Sequence, residues 1–316
     1  MAWVLKRIGI SLLLVWVVAS IVFLAIHLVP GDPAELLLSQ GGAAPDQAAV
    51  DQLREQLGLD RPLMAQYLRS LGEVVRGDLG ESLQDGSSVT GEIVRRLPRT
   101  LELIAAAALL ALITGLPLGM LAALRRGGIA DRLLSIISAA GLALPVFVLG
   151  TLMVLLFAQT LHWVSAGGYV PLAQAPGKHF TLLAMPAAAI ATGLFSAVFR
   201  ITRASVLDVS WRDYVRTARA KGLSRHRILT RHILRNALMP VVTVVALHLG
   251  TLLGGTVLVE YVFNYPGLSG MLVDAVNARD YPEVQGVVLV ISVLFVTLNL
   301  AVDLIYGALD PQVRNS

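Results

Sequence analysis

The side chains with most potential for chemistry in this sequence are cations, and they are concentrated. Ten Lys/Arg residues lie between Arg200 and Arg235, against two acids, Asp208 and Asp213. Long uncharged runs flank the stretch on both sides. No G-x-x-x-x-G-K-[ST] phosphate loop, H-E-x-x-H zinc pair or G-x-S-x-G nucleophile turn occurs. The apolar runs hold none of the paired carboxylates that a proton- or sodium-coupled carrier uses. There is no cysteine, which excludes disulfide and thiol chemistry. The composition therefore points away from catalysis. What the cations can do is hold a segment on the cytoplasmic face of a bilayer. The net charge of +4 sits in short clusters beside apolar runs, so a nucleic-acid partner is not implied.

The basic stretch has a grammar beyond its charge. Trp211 to Lys221 is built from good helix formers without Pro or Gly. Gly222 is a natural left-handed stop, and Leu223 follows where it can pack back on Ala218 in a Schellman ending. Ser224 is a candidate N-cap for a second helix, Arg225 to Leu238. On it Leu229, Ile233 and Ala237, flanked by Leu234, form an apolar stripe. A short helix, a glycine corner and an amphipathic helix running into Pro240 suit a docking element for a cytosolic partner.

The elements that must carry this segment are membrane spans. The chain has 316 residues, 56% hydrophobic and 15% charged, against about 25% charged in soluble domains. A span needs roughly 20 apolar residues. Six stretches meet or nearly meet this: Ile8–Val29, Leu103–Leu124, Leu133–Leu161, the shorter Thr181–Phe199, Asn236–Val259 and Gln285–Val302. The expected fold is an all-α integral membrane protein with six transmembrane helices. The clusters Lys6/Arg7, Arg125/Arg126/Arg132 and the ten-cation segment fall on one side if both termini are cytoplasmic. Arg95, Arg96 and Arg99 are the exception, at the end of a long loop where the rule is weaker. The first apolar run is too long for a signal-peptide core and reads as an uncleaved anchor.

The expected organisation is an N-terminal span over residues 1–30, an extracytoplasmic cap over 31–96 and a core over 97–310. The core contains the docking segment, 208–238, and an external loop, 260–284. Pro30 and Pro33 end the first helix, and Asp46–Leu57 and Pro62–Val75 read as surface helices. Glu102 sits where the helix dipole favours an acid in a first turn. Gly115/Gly119 and Gly250/Gly254 are small-xxx-small pairs suited to close helix packing. Pro145 and Pro186 lie in the third and fourth spans, and Pro240 opens the fifth. His248 is the one titratable group deep in a span, either a functional site or a neutral histidine bonded to a neighbouring helix. Pro266 and Gly267 make a turn before a short helix, Gly267–Ala278. Tyr261, Phe263, Tyr265 and Tyr281 suit an interfacial belt or the mouth of a path for an organic solute.

Taken together, FLAIHLVPGDPA, LGLDRPLMAQYLRSL, RGDLGESL, RLPRTLEL, DYVRTARAKGLSRHRILTRHILRNALMPVVT, VFNYPGLSGML and ALDPQVR resemble the permease subunits of binding-protein-dependent ABC importers. They are most similar to the first permease of the dipeptide/oligopeptide/nickel branch, and the resemblance covers nearly the whole chain. The basic block corresponds to that family's cytoplasmic loop of form E-A-A-x-x-x-G. Arg216 and Thr217 stand where the Glu and first Ala would be, while Ala218 and Gly222 match. The resemblance implies a type I importer transmembrane domain in a bacterial inner membrane. It implies a second homologous permease, two ATPase subunits that bind Mg-ATP, and an extracytoplasmic binding protein; no cofactor is implied for this chain itself. It further implies that Asp213, Tyr214, Thr217, Ala218, Ala220, Lys221, Gly222, Leu223 and Ser224 form an ATPase-coupling element, with the helix from Tyr214 to Gly222 inserted in a cleft of one ATPase subunit. Peptides are the leading cargo. Nickel chelates, opines, glutathione and oligosaccharides are alternatives, and a six-span channel or carrier acting alone is the reading from another class.

Overall fold

A computed structural model describes residues 2–28, Glu35, 46–57 and 60–309. Apart from one isolated bridge between Glu81 and Ser88, the described residues form helices and turns. In chain order the helices are α1 (Ala2–Leu28), α2 (Gln47–Leu57), α3 (Leu63–Val75), α4 (Val89–Leu124), α5 (Ile129–Ala143), α6 (Val146–Met153), α7 (Pro176–Ser210), α8 (Asp213–Ala220), α9 (Arg225–Arg227), α10 (Arg235–Val262), α11 (Leu268–Ala278) and α12 (Tyr281–Leu309). Two wider π-helical stretches, Val154–Thr160 and Ile228–Leu234, extend α6 and join α9 to α10.

Among the described residues, five helical stretches are long and apolar enough to cross a membrane: Val4–Ala25, Val89–Leu124, Pro176–Ser210, Arg225–His248 and Tyr281–Leu304. A sixth is counted if the bent pair Ile129–Ala143 and Val146–Thr160 is one span. The bend is 108°. The span expected over Leu133–Leu161 is therefore sharply bent at the Pro145 that lies within it. Leu144 precedes Pro145 and is extended, with φ −92° and ψ 129°. The proline ring disfavours a helical residue before it, so the helix stops and restarts at that point.

Other boundaries also moved. α4 starts at Val89, well before the expected entry, and runs through Pro98 and Pro117. α10 runs through Pro240 without a break, so that proline lies inside a helix and does not open one. The two surface helices and the short helix after Pro266 form as expected. Pro30, Pro33 and Pro311 lie outside the described residues.

The chain divides into two compact units, Met1–Pro98 with Met271–Leu300, and Arg99–Gly270 with Ala301–Ser316. In the first unit α3 packs on α1. The Ser20 and Tyr67 hydroxyls are 2.6 Å apart, and Phe23 meets the Tyr67 ring edge-on. Asp280 is fully buried there. Its carboxylate accepts from Ser82 Oγ at 2.5 Å and Leu83 N at 2.9 Å, and from Glu283 N at the start of α12.

In the second unit α7 is the central helix, packed against α5, α6 and α10. It buries small residues along its length, among them Ala187, Ala189, Ala191, Ser196 and Thr202. Close approach follows from this choice. A Cβ on Gly115 would stand 2.9 Å from Val198 Cγ1, and one on Gly119 would stand 2.7 Å from the Phe199 carbonyl oxygen. The first glycine pair thus packs α4 against α7. At Gly254 an added Cβ meets nothing within 4 Å, so that glycine makes no such contact with the described residues.

Candidate functional site

The docking segment emerges at one end of the second unit. α7 ends at Ser210, two residues turn, and α8 begins at Asp213. Val215 and Ala218, three apart and therefore on one face, are 0% and 5% exposed. They join Ala123, Val206, Val209, Ile228, Ile233 and Ala237 in one apolar cluster, with Leu207, Leu223 and Leu229 packed on its edge. Val215 was not singled out from sequence. Its signal was its place one turn before Ala218 on a short amphipathic helix.

The end of α8 is a complete Schellman turn. Leu223 N donates to Ala218 O at 3.3 Å, and Gly222 N donates to Arg219 O at 3.0 Å. Gly222 has φ +73°, a conformation that a side chain disfavours. Lys221 occupies the C-cap. Ser224 takes extended N-cap geometry and its carbonyl accepts Ile228 N at 3.0 Å, but its hydroxyl makes no cap hydrogen bond. The expected side-chain cap is therefore absent.

The stripe that follows differs from the expected one. The second helix is not a separate α-helix over Arg225–Leu238. It is a single turn, a π-helical stretch and then α10. The wider turn places Ile228 and Ile233, five apart, on the buried face, and Leu229 only on its edge. An α-helical period of 3.6 selected Leu229 instead.

The remaining candidates face outward. Asp213, Thr217, Ala220, Lys221 and Ser224 are exposed, as are Arg216 and Arg219. Thr217 Oγ1 bonds back to Asp213 O at 2.9 Å. Tyr214 is 43% exposed, and its hydroxyl accepts Asn236 Nδ2 at 3.0 Å, tying α8 to the start of α10. Arg212 pairs with Asp208 at 2.8 Å. Behind α8 lies a cavity of about 550 Å³ lined by Ile201, Ser205, Asp208, Arg212, Tyr214, Asn236 and Pro240 among others. Upstream, Arg203 on α7 grips Asp131 on α5 with two bonds of 2.6 and 2.9 Å, and Gly127 N donates to the same carboxylate. This is an apolar platform carrying a short polar helix whose outer face the described residues leave exposed.

The opposite end of this unit holds ionisable groups that sequence reasoning explained away or did not name. Glu260 is 0% exposed. Its carboxylate accepts from Thr100 Oγ1 at 2.7 Å and from the Ser269 and Gly270 amides at 2.8 and 3.2 Å, at the start of α11. Gly267 is required there, because a Cβ would collide with that carboxylate. Glu102 is not in a first turn, since α4 begins at Val89. It meets His179 of α7 at 2.9 Å and the Tyr265 hydroxyl at 3.3 Å. Burial, reinforced by the negative charge of Glu102, pushes the Tyr265 phenol above its ordinary range, so it remains a donor. Phe263 and Tyr265 are 1% and 2% exposed and belong to the core, not to an interfacial belt, while Tyr261 is 59% exposed. His248 lies on α10, half-buried. No group of three His, Cys, Asp or Glu side chains suited to a metal ion occurs among the described residues.

Apolar spans carrying a basic segment that mounts a short exposed helix suit the membrane-spanning subunit of a transporter. Residues 115–315 match the family described as binding-protein-dependent transport system inner membrane component, and residues 1–104 match its N-terminal family. A di/tripeptide transport system permease protein of Pseudomonas aeruginosa is 38% identical over 335 residues, covering 100% of this chain and 99% of that protein. A glutathione transport system permease protein of Escherichia coli K12 is 39% identical over 312 residues, covering 99% and 98%. Among solved structures, two crystal forms of the inward-facing MetNI methionine ABC transporter share the fold. Their TM-scores are 0.53 and 0.56 at 19% and 20% identity, over 69% of this chain and 96% of each of those chains. The chain belongs to the binding-protein-dependent transport system inner membrane component family, in its peptide/nickel branch of ABC importer permeases.

Proposed function

We propose that this permease forms half of a path that imports short peptides, delivered by an extracytoplasmic binding protein. ATP is hydrolysed by two separate ATPase subunits, and the second half of the path is a homologous permease. Both termini are cytoplasmic, which places α8 inside the cell and the Glu102/Glu260 end outside. The relatives named for di/tripeptides and for glutathione support a peptide cargo, since glutathione is itself a tripeptide.

The observation that carries the coupling role is the mounting of α8. Val215 and Ala218 fix one face to the apolar cluster, the Schellman turn fixes the exit angle, and Tyr214, Thr217, Ala220 and Lys221 are left exposed. A helix held this way transmits a push as rigid-body movement into α7 and α10. Asp213, Leu223 and Ser224 bound the element. Replacement Gly222→Asp adds a side chain at φ +73° and a charge on the docking surface. The expected result is normal insertion, ATP hydrolysis that no longer responds to the loaded binding protein, and peptide uptake reduced about tenfold or more, the effect of roughly 1.4 kcal/mol. Normal uptake at normal expression would remove the coupling role.

A further inference from the structure

His179 is 2% exposed, and its two ring nitrogens have different surroundings. Nδ1 lies 2.8 Å from the Val170 carbonyl oxygen. A carbonyl only accepts, so Nδ1 carries a hydrogen. Nε2 lies 2.9 Å from Glu102 Oε1, off the axis of a good hydrogen bond, and has no other partner among the described residues. A bare nitrogen lone pair at that distance from a carboxylate oxygen is repelled by it. The contact therefore needs one further proton, on the imidazole or on the carboxyl.

The neighbours leave that proton to the pair. The Tyr265 hydroxyl lies 3.3 Å from the other carboxylate oxygen of Glu102 and 3.4 Å from the Arg99 carbonyl oxygen, and donates its one hydrogen to these two acceptors. Arg99, nearly one turn earlier on α4, lies with its guanidinium 4.7 Å from the centre of the Tyr169 ring and donates to Pro266 O at 3.2 Å. The Tyr169 and Phe180 rings stand edge-on to the imidazole, at 5.8 and 5.4 Å between centres. Glu260 is committed to Thr100 and to the first amides of α11. Through Glu102, Val170, His179 and Tyr265 the pair joins α4, the loop before α7, the first turn of α7 and the turn after α10.

We propose that the Glu102–His179 pair is a one-proton latch that holds the outer end of this permease closed. The proposal rests on the import reading, in which that end must open when the ATPase subunits close. With one proton the pair attracts; with none, a lone pair faces a carboxylate and the latch loosens. Rising pH should therefore favour outward opening and raise ATP hydrolysis in the absence of binding protein.

The experiment uses the full complex of both permeases and both ATPase subunits in lipid nanodiscs. Hydrolysis without binding protein is measured from about pH 6 to about pH 9. Each variant is expressed as a ratio to wild type at the same pH, which cancels the pH profile of the ATPase subunits. Glu102→Gln replaces the titrating contact with an amide that donates to neutral Nε2 and still accepts from Tyr265. Its ratio should be near one at acid pH and fall below one at alkaline pH. His179→Leu removes the latch, so its ratio should exceed one by about threefold or more at acid pH and converge on one at alkaline pH. Flat ratios for both variants, or Glu102→Gln behaving as His179→Leu does, would overturn the latch. If His179→Leu does not assemble, the alkaline fall of Glu102→Gln decides alone. A wild-type complex that the loaded binding protein fails to stimulate overturns the import reading, whereas a stimulated complex with flat ratios overturns only the latch.

Discussion

The two ends of the Arg99–Gly270 unit are held by opposite means. At the α8 end the fixed residues are apolar and the polar ones point out. Val215, Ala218, Ile228, Ile233 and Ala237 are buried, while Asp213, Arg216 and Lys221 are exposed. At the other end the fixed residues are ionisable. Glu260, His179 and Tyr265 are each 2% exposed or less and take their partners from distant parts of the chain. The physical consequences differ. An apolar cluster keeps its strength under small shifts, because burial is non-directional. Hydrogen bonds to a buried carboxylate weaken steeply when their geometry changes. An apolar seat suits movement as a body, whereas directional bonds suit a joint that is either made or broken.

The largest test of this contrast is Glu260→Leu. Leucine accepts no hydrogen bond, so the Thr100 hydroxyl and the Ser269 and Gly270 amides would lose their acceptor, although Thr100 Oγ1 would still accept Leu268 N. Orphaned donors cost about 1–3 kcal/mol each. The expected loss is roughly 3 kcal/mol or more, seen as a fall in the thermal unfolding midpoint of the purified complex. Glu260→Gln, which keeps an acceptor, should lose distinctly less. Equal loss from both would show that packing volume, not hydrogen bonding, holds that end.

At the α8 end the matching change is Val215→Ala. Removing a buried valine's methyl groups costs about 1–2 kcal/mol locally, at roughly 0.8 per buried methylene plus a small cavity. The cost should fall on the seating of α8 more than on global unfolding. Uptake should drop severalfold while the unfolding midpoint moves little. A variant that unfolds early but transports at the normal rate per folded complex would place Val215 in the general core and not in the transmission of movement.

The same contrast explains what the sequence made legible. At the α8 end the turn after Ala218 was legible because its contacts are local, whereas Val215 and its distant partners Ala123, Val206 and Val209 were not. Gly222, Leu223 and Ala218 lie within five positions, and the Schellman signal is written in that spacing. One failure there was also local. The π-helical stretch shifted the buried face from Leu229 to Ile228, and periodicity at 3.6 could not show that. The other end was illegible because its partners are far apart. Glu102 and His179 are 77 positions apart (179 − 102), and Thr100 and Glu260 are 160 apart. Glu102 alone carries no mark that an imidazole will face it. Glu260 and Phe263 sit where an apolar run ends, so they resembled loop residues. The span count survived because twenty apolar residues leave little choice. The bend at Pro145 was the exception, since proline marks a break without fixing its angle.

The smallest expected effect is the sharpest on this point. Ser224 stands at the start of the turn after Gly222, where sequence preference reads a side-chain N-cap. Capping serines are worth about 0.5–2 kcal/mol when replaced by alanine. Here the backbone of Ser224 makes the cap, through its carbonyl to Ile228 N, and the hydroxyl makes no cap bond. Ser224→Ala should therefore leave the unfolding midpoint unchanged, within the roughly ±0.5 kcal/mol typical of surface changes. It should also leave uptake unchanged, unless the hydroxyl touches the ATPase. Lower uptake at an unchanged midpoint would assign Ser224 to the docking surface itself. A lower midpoint would mean that the hydroxyl caps the turn, and that the α8 end depends on a directional bond after all.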